Sequence, residues 1–124
     1  MIHTAMVTPL NAVKATTTSA AFDVAGAHRV TFVFTRADHA QGNTVFTILA
    51  SVDGVTYLAY NKLITNIANS NAETLTRVAS VTHGENATAI VSMDFTADTF
   101  HSLKAVATQT TDGTHTVQAF ITYK

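Results

Sequence analysis

Apolar and polar residues alternate with a period of two along most of this chain. Residues 29–36 (RVTFVFTR) put Val30, Phe32 and Phe34 on one face and Thr31, Val33 and Thr35 on the other. Residues 44–52 (TVFTILASV) place Phe46, Ile48, Ala50 and Val52 together, and 88–96 place Ala89, Val91, Met93 and Phe95 inward. In 114–123, Val117, Ala119, Ile121 and Tyr123 share a face. Successive side chains of a strand point to opposite faces of its sheet, so the pattern predicts half-buried β-strands. Further strands are expected to end near Val24 and to cover 55–64, 74–82 and 103–111.

Turn chemistry separates these runs: Ala25-Gly26-Ala27, the polar 37–43, an Asn-rich stretch (Asn66, Asn69, Asn71) and His83-Gly84-Glu85-Asn86. Asp53-Gly54 and Asp112-Gly113 predict hairpins. A two-residue type I′ turn needs positive φ at both central positions, which Asp-Gly tolerates. Residues 97–102 are expected to make one helical turn. About eight strands spaced 8–12 residues apart predict one all-β domain, an antiparallel β-sandwich of jelly-roll type. Residues 1–17, which hold the lone proline, Pro9, are read as an N-terminal extended arm or edge segment, and 18–124 as the sandwich.

Composition agrees. Hydrophobic residues make up 47% of the 124 positions and charged residues 12%, and threonine alone supplies 23. β-Branched residues suit a pleated backbone. The net charge of −1 is spread singly, with no basic run to follow a phosphate backbone, so nucleic acid is not an expected partner. No apolar stretch approaches the ~20 residues that span a bilayer, and the N-terminus lacks the basic start and apolar run of a secretory signal. The absence of cysteine closes disulfides, thiolate zinc sites and thiol nucleophiles.

The search for chemistry assigns no catalytic, cofactor-binding or metal residues. The six histidines (His3, His28, His39, His83, His101, His115) form no paired ligand spacing with a carboxylate. Asp94, Asp98 and His101 would converge only if 97–102 is helical, and such clusters more often cap turns. No Gly-x-Ser-x-Gly elbow or phosphate loop is present. Nothing pairs any two of Asp23, Asp38, Glu85 and Asp94 as glycosidase carboxylates. The expectation is that the chain is not an enzyme and needs no cofactor. Tyr57 and Tyr60 are three apart, so one at most can lie on a sugar-stacking face, and there is no Trp. Asn86-Ala87-Thr88 fits the glycosylation acceptor pattern, which matters only in a secretory context. The outward positions are Thr, Ser, Ala or Val rather than Lys and Glu. Unprotected, weakly charged strands invite association, so a homo-oligomer is expected.

The segment Ala50-Ser51-Val52-Asp53-Gly54-Val55-Thr56-Tyr57 resembles a hairpin of discoidin-like sandwiches and of small β-sandwich structural proteins of tailed phage virions. The Thr111-Asp112-Gly113-Thr114-His115-Thr116 hairpin, the Thr/Ala-rich composition and the lack of Cys and Trp are similar to the phage group. That resemblance implies a non-enzymatic virion protein, a capsid-associated or decoration subunit made in the host cytoplasm. Its partners would be its own copies and a major capsid or other virion protein, with no membrane. The alternatives are a carbohydrate-binding module and, third, a subunit of an extracellular fibre with 1–17 as donor strand.

Overall fold

A computed structural model describes residues 3–65, 76–94 and 100–123, apart from the side chains of His3 and Asp94. Those residues form twelve strands and no helix: β1 (His3–Val13), β2 (Thr17–Thr18), β3 (Phe22–Asp23), β4 (Ala27–Ala37), β5 (Thr44–Ser51), β6 (Leu58–Ala59), β7 (Leu63–Thr65), β8 (Thr76–Val78), β9 (Val81–His83), β10 (Ala87–Asp94), β11 (Ser102–Gln109) and β12 (Thr114–Tyr123). The front sheet runs β1-β12-β4-β10-β7-β8 and the back sheet β2-β11-β5-β6. β3 continues β2 along β11, and β9 continues β6 along β5. All pairings are antiparallel.

If β2 with β3 and β6 with β9 each count as one strand, eight principal strands remain. The first, eighth, third and sixth then face the second, seventh, fourth and fifth. That is the strand order of a jelly roll, as the spacing of turns and strands predicted. The β7–β8 hairpin is an insertion that extends the front sheet between β6 and β9.

The alternation seen in the sequence is what closes the core. Val30, Phe32 and Phe34 of β4 are fully buried, as are Phe46 and Ile48 of β5, Val91 and Met93 of β10, Leu103, Ala105 and Ala107 of β11, and Val117 and Ala119 of β12. Phe34 stacks on Phe32 at 5.8 Å and on Phe46 at 5.1 Å between ring centroids, joining the two sheets. Phe95, the Asn-rich stretch and 97–99 of the expected helical turn lie outside the described residues, and Ser102 already opens β11.

Neither Asp-Gly site makes the expected two-residue turn: the first closes the β5–β6 hairpin with a wider loop, and the second is not a hairpin. β5 ends at Ser51 and pairs again only at Leu58 and Ala59, so 52–57 is a wide loop. Its cause is the Asp53 carboxylate, whose Oδ1 accepts from the Ser51 hydroxyl and from the Val55 and Thr56 amides at 2.8–2.9 Å. Only Gly54 there has positive φ (79°), not both central residues as a type I′ turn needs. Asp112-Gly113 carries the chain from β11 in the back sheet to β12 in the front one. The expected strand 55–64 is likewise divided between β6 in the back sheet and β7 in the front, and 74–82 between β8 and β9.

β1 lies along the outside of β12, with Leu10 in the core and Val7 and Val13 packed against it. Its register shifts twice, after Val7 and after Leu10, and Ala12 takes φ 52° at the second shift. Pro9 falls inside this bulged stretch. Bulges and proline blunt an open edge, so β1 has the protection that its charge-poor sequence does not display.

Candidate functional site

The outer face of the front sheet is built from the positions that alternate with the core. Met6, Phe120 and Thr31 form one row across β1, β12 and β4, which Ser92 of β10, itself buried, continues. Gln118, Val33 and Ile90 form the next, and Thr116, Thr35 and Thr88 the one after. Met6 and Ile90 are 53% and 46% exposed. The Thr35 and Thr88 hydroxyls lie 3.3 Å apart. None of these positions on β1, β12, β4 and β10 is charged; charge enters near the start of β4, where Arg29 stands opposite Thr122 and Asp94, and at Arg77 of β8, to which the first row continues through Ile64. The physical result is an uncharged surface that costs less to desolvate than a charged one, provided its hydroxyl and amide groups find partners.

The back sheet is similar, with Val106, Thr47 and Thr18 in one row and Thr108, Val45 and Thr82 in another. Lys104 brings a charge in the adjoining row, opposite Leu49, and its Nζ lies 4.3 Å from the centre of the Tyr57 ring. Tyr57 also hydrogen-bonds the buried Ser102 hydroxyl at 2.7 Å. Tyr60, in contrast, is buried in the core, edge-on to Phe100 at 5.7 Å. The two tyrosines therefore do not make a joint stacking platform. The 52–57 loop and the start of β6 expose Val52, Val55 and Leu58 beside a groove of about 330 Å³ lined by Tyr60 and Phe100. His101 sits against its Gly54: a Cβ there would lie 2.8 Å from the imidazole.

At the opposite end of β4 from Arg29, the core closes over a guanidinium. Arg36 follows Val30, Phe32 and Phe34 on the inward side, and its side chain is completely buried. Nη1 donates to the Gly42 and His83 carbonyls at 2.9 Å, and Nη2 to those of Gln41 (3.0 Å) and Asp112 (2.7 Å). The Asp112 carboxylate approaches Nη2 at 3.5 Å, while Nε has no partner. Arg36 thus fastens the 38–43 loop, the end of β9 and the 110–113 crossover to one another. Asp112 also accepts from the Ala40 and Gln41 amides. The Ala40 amide above all, then that of Gln41 and the Arg36 and His39 charges, hold its carboxyl below the usual aspartate range, against a partial desolvation.

Two of the histidines belong to this clamp. His115 is fully buried, its Nε2 2.8 Å from the Thr44 hydroxyl. The Nε2 of the buried His83 donates to the Phe34 carbonyl at 3.1 Å. Phe46 meets both rings edge-on, at 5.4 and 6.0 Å. Their placement is visible in hindsight from strand parity: Arg36 and His115 are in phase with the apolar positions of β4 and β12.

The remaining candidates are dispersed. Asp23 accepts from the Ala25 amide before β4 begins, and Asp38 from the Thr114 hydroxyl after β4 ends. An eleven-residue strand separates them. Glu85 and Asn86 are in the exposed turn before β10, where the Asn86 side chain accepts from the His39 amide. His28 lies at the start of β4, and His101 Nδ1 is 3.0 Å from the Ser102 hydroxyl. Asp98 lies outside the described residues. Among the described residues no three His, Asp or Glu side chains are grouped as metal ligands would be.

No family model and no curated protein matches the chain. Among solved structures it is similar to the SPBc2 prophage-derived protein YomS, with a TM-score of 0.68 over 98% of this chain and 95% of that one, at 11% identity. A chain from the disulfide-linked pili of Bacillus endospore appendages gives a TM-score of 0.47 and 13% identity, over 100% of this chain and 87% of that one. The sandwich is thus one that a prophage-derived protein also adopts.

Proposed function

We propose that the protein is a non-enzymatic structural subunit of a virion, a capsid-associated or decoration subunit that binds a repeating protein shell and its own copies. The observation that carries this reading is the outer face of the front sheet. Four long strands present three rows of Thr, Gln, Met, Val, Ile and Phe without a charge among them. A monomer has no need of such a face. A packed subunit gains from it, because a neutral surface meets a copy of itself without repulsion and costs less to desolvate than a charged one. The fold shared with a prophage-derived protein supports the virion setting.

Sugar binding has less support, since Lys104 stands over Tyr57 and Tyr60 is in the core. Strand donation by 1–17 would require β1 to leave its own sheet.

The test is solution mass by light scattering across concentration, for the protein and for Met6→Lys with Ile90→Lys. A discrete closed oligomer that the double variant reduces to monomer, with unchanged circular dichroism, is the expected result. A wild-type protein that stays monomeric at high concentration overturns self-association through this face.

A further inference from the structure

We propose that the Arg36 end of the sandwich is an acid-released latch, in which protonation of His115 loosens the loops that Arg36 holds together. The geometry begins with the charge already present. Arg36 is buried and permanently cationic, four backbone carbonyls accept its donors, and the carboxylate nearest to it is that of Asp112, at 3.5 Å and about one-third exposed. His115 is buried beside it. A Cβ placed on Gly113 would touch both groups, at 2.8 Å from His115 Nε2 and 2.9 Å from Arg36 Nε. His115 Nδ1 and Arg36 Nε are both buried without a hydrogen-bond partner, and only the Val13 backbone favours a charge on the imidazole.

The other titratable groups around His115 do not change that balance. His83 of β9 lies across the Phe46 ring, and β5 contributes only Thr44 and Phe46 to the contact. Asp38, Asp112 and Lys14 line a surface cavity beyond Gly113 and Thr114, with His39 on the adjoining loop. Asp112 is committed to the Ala40 and Gln41 amides and stays ionised through the range where histidine titrates.

Burial first, and the Arg36 charge second, hold the imidazole below the ordinary histidine value, against a smaller upward pull from the Val13 backbone. The unfolded or opened chain binds this proton more tightly than the closed one. Stability of the closed form therefore falls as pH drops below about 6.5, the unperturbed histidine value, towards the depressed one. The loops that must give way are 38–43 and 110–113, whose amides and carbonyls the clamp engages. For a shell subunit, this would couple acidification to loosening of one end.

The experiment is backbone hydrogen exchange at pH 7.0 and 5.5, corrected for intrinsic rates, on the wild type, His115→Gln and His39→Gln. The expected result is about tenfold greater opening at pH 5.5 for the amides of Ala40, Gln41, Asn43 and Thr110, with the centres of β5 and β11 unchanged. His115→Gln should abolish the acid-specific part and His39→Gln should retain it. Equal protection at both pH values in the wild type overturns the latch, as does an undiminished acid response in His115→Gln. Should that variant fail to fold, NMR titration of the wild-type histidine rings decides. Loop opening must grow as pH falls below about 6.5 and level off near the His115 midpoint, and a His115 ring that titrates without any loop change refutes the proposal.

Discussion

Replacing Arg36 with leucine removes the one side chain that joins three loops, and its cost can be worked from the bonds it makes. The His83 carbonyl is bonded to Arg36 in a buried setting and loses a charge-assisted hydrogen bond, worth about 1.5–3 kcal/mol. The Gln41, Gly42 and Asp112 carbonyls are partly buried and can rehydrate, so each loses about 0.5–1 kcal/mol. Against this stands relief from burying a guanidinium, which can make an apolar replacement of a whole buried ion pair neutral or better. Here the acceptors are main-chain carbonyls, which no substitution at position 36 removes, so the loss prevails. The net expectation is a destabilisation of about 2–4 kcal/mol, a large part of the 5–15 kcal/mol typical of a domain. Urea unfolding should show it as a midpoint lower by about 1–2 M with the slope unchanged. Arg36→Lys should fall between, because an ammonium cannot span four carbonyls held in a fork. A leucine variant whose midpoint lies within about 0.3 M of the wild type would refute the clamp as a stabilising element.

Gly113→Ala should also loosen this end, because φ is 134° and the new methyl would press on His115 and Arg36. A loss of about 1–3 kcal/mol is expected, seen as a melting temperature lower by several degrees. Gly26→Ala, where nothing lies within 4 Å, should cost less in the same scan. In the 52–57 loop, the Thr56 and Val55 amides and the Ser51 hydroxyl lower the Asp53 pKa to about 2. An aspartate depressed in the folded state contributes stability above its unfolded value of 3.8, and that contribution is lost as pH falls through about 2. The Val55 and Thr56 amide shifts should therefore titrate near pH 2, and a midpoint near 3.8 would show that the carboxylate does not hold the loop.

Strand positions and facing were legible because they depend on a local rule. The phase of Phe32, Phe34, Phe46, Val91 and Val117 decided which side of each strand is buried, and those residues form the core. Connections were not legible, because they depend on which sheet the next strand joins. Asp53-Gly54 and Asp112-Gly113 are turns, as their chemistry requires, yet one becomes a wide carboxylate-held loop and the other a passage between sheets. The clamp had a weak signal: Arg36 and His115 continue the apolar parity of their strands. A strand-terminal arginine is ordinarily at the surface, and only the convergence of loops around 41–42, 83 and 112 gives this one its acceptors.

The place of β12 in the front sheet constrains how the molecule comes into being. β12 lies between β1 and β4, so the two earliest long strands have no partnership with each other until residues 114–123 have left the ribosome. Until then a nascent chain must hold β1 without its partner and β4 paired on one side only, by β10, with its other edge exposed to neighbouring copies on the same message. The flat neutral face is assembled by the same late event, since Gln118 and Phe120 are the middle of its rows. A chain that lacks β12 consequently lacks the completed face. On the proposed role, a fragment released before β12 is made would be unable to join the shell.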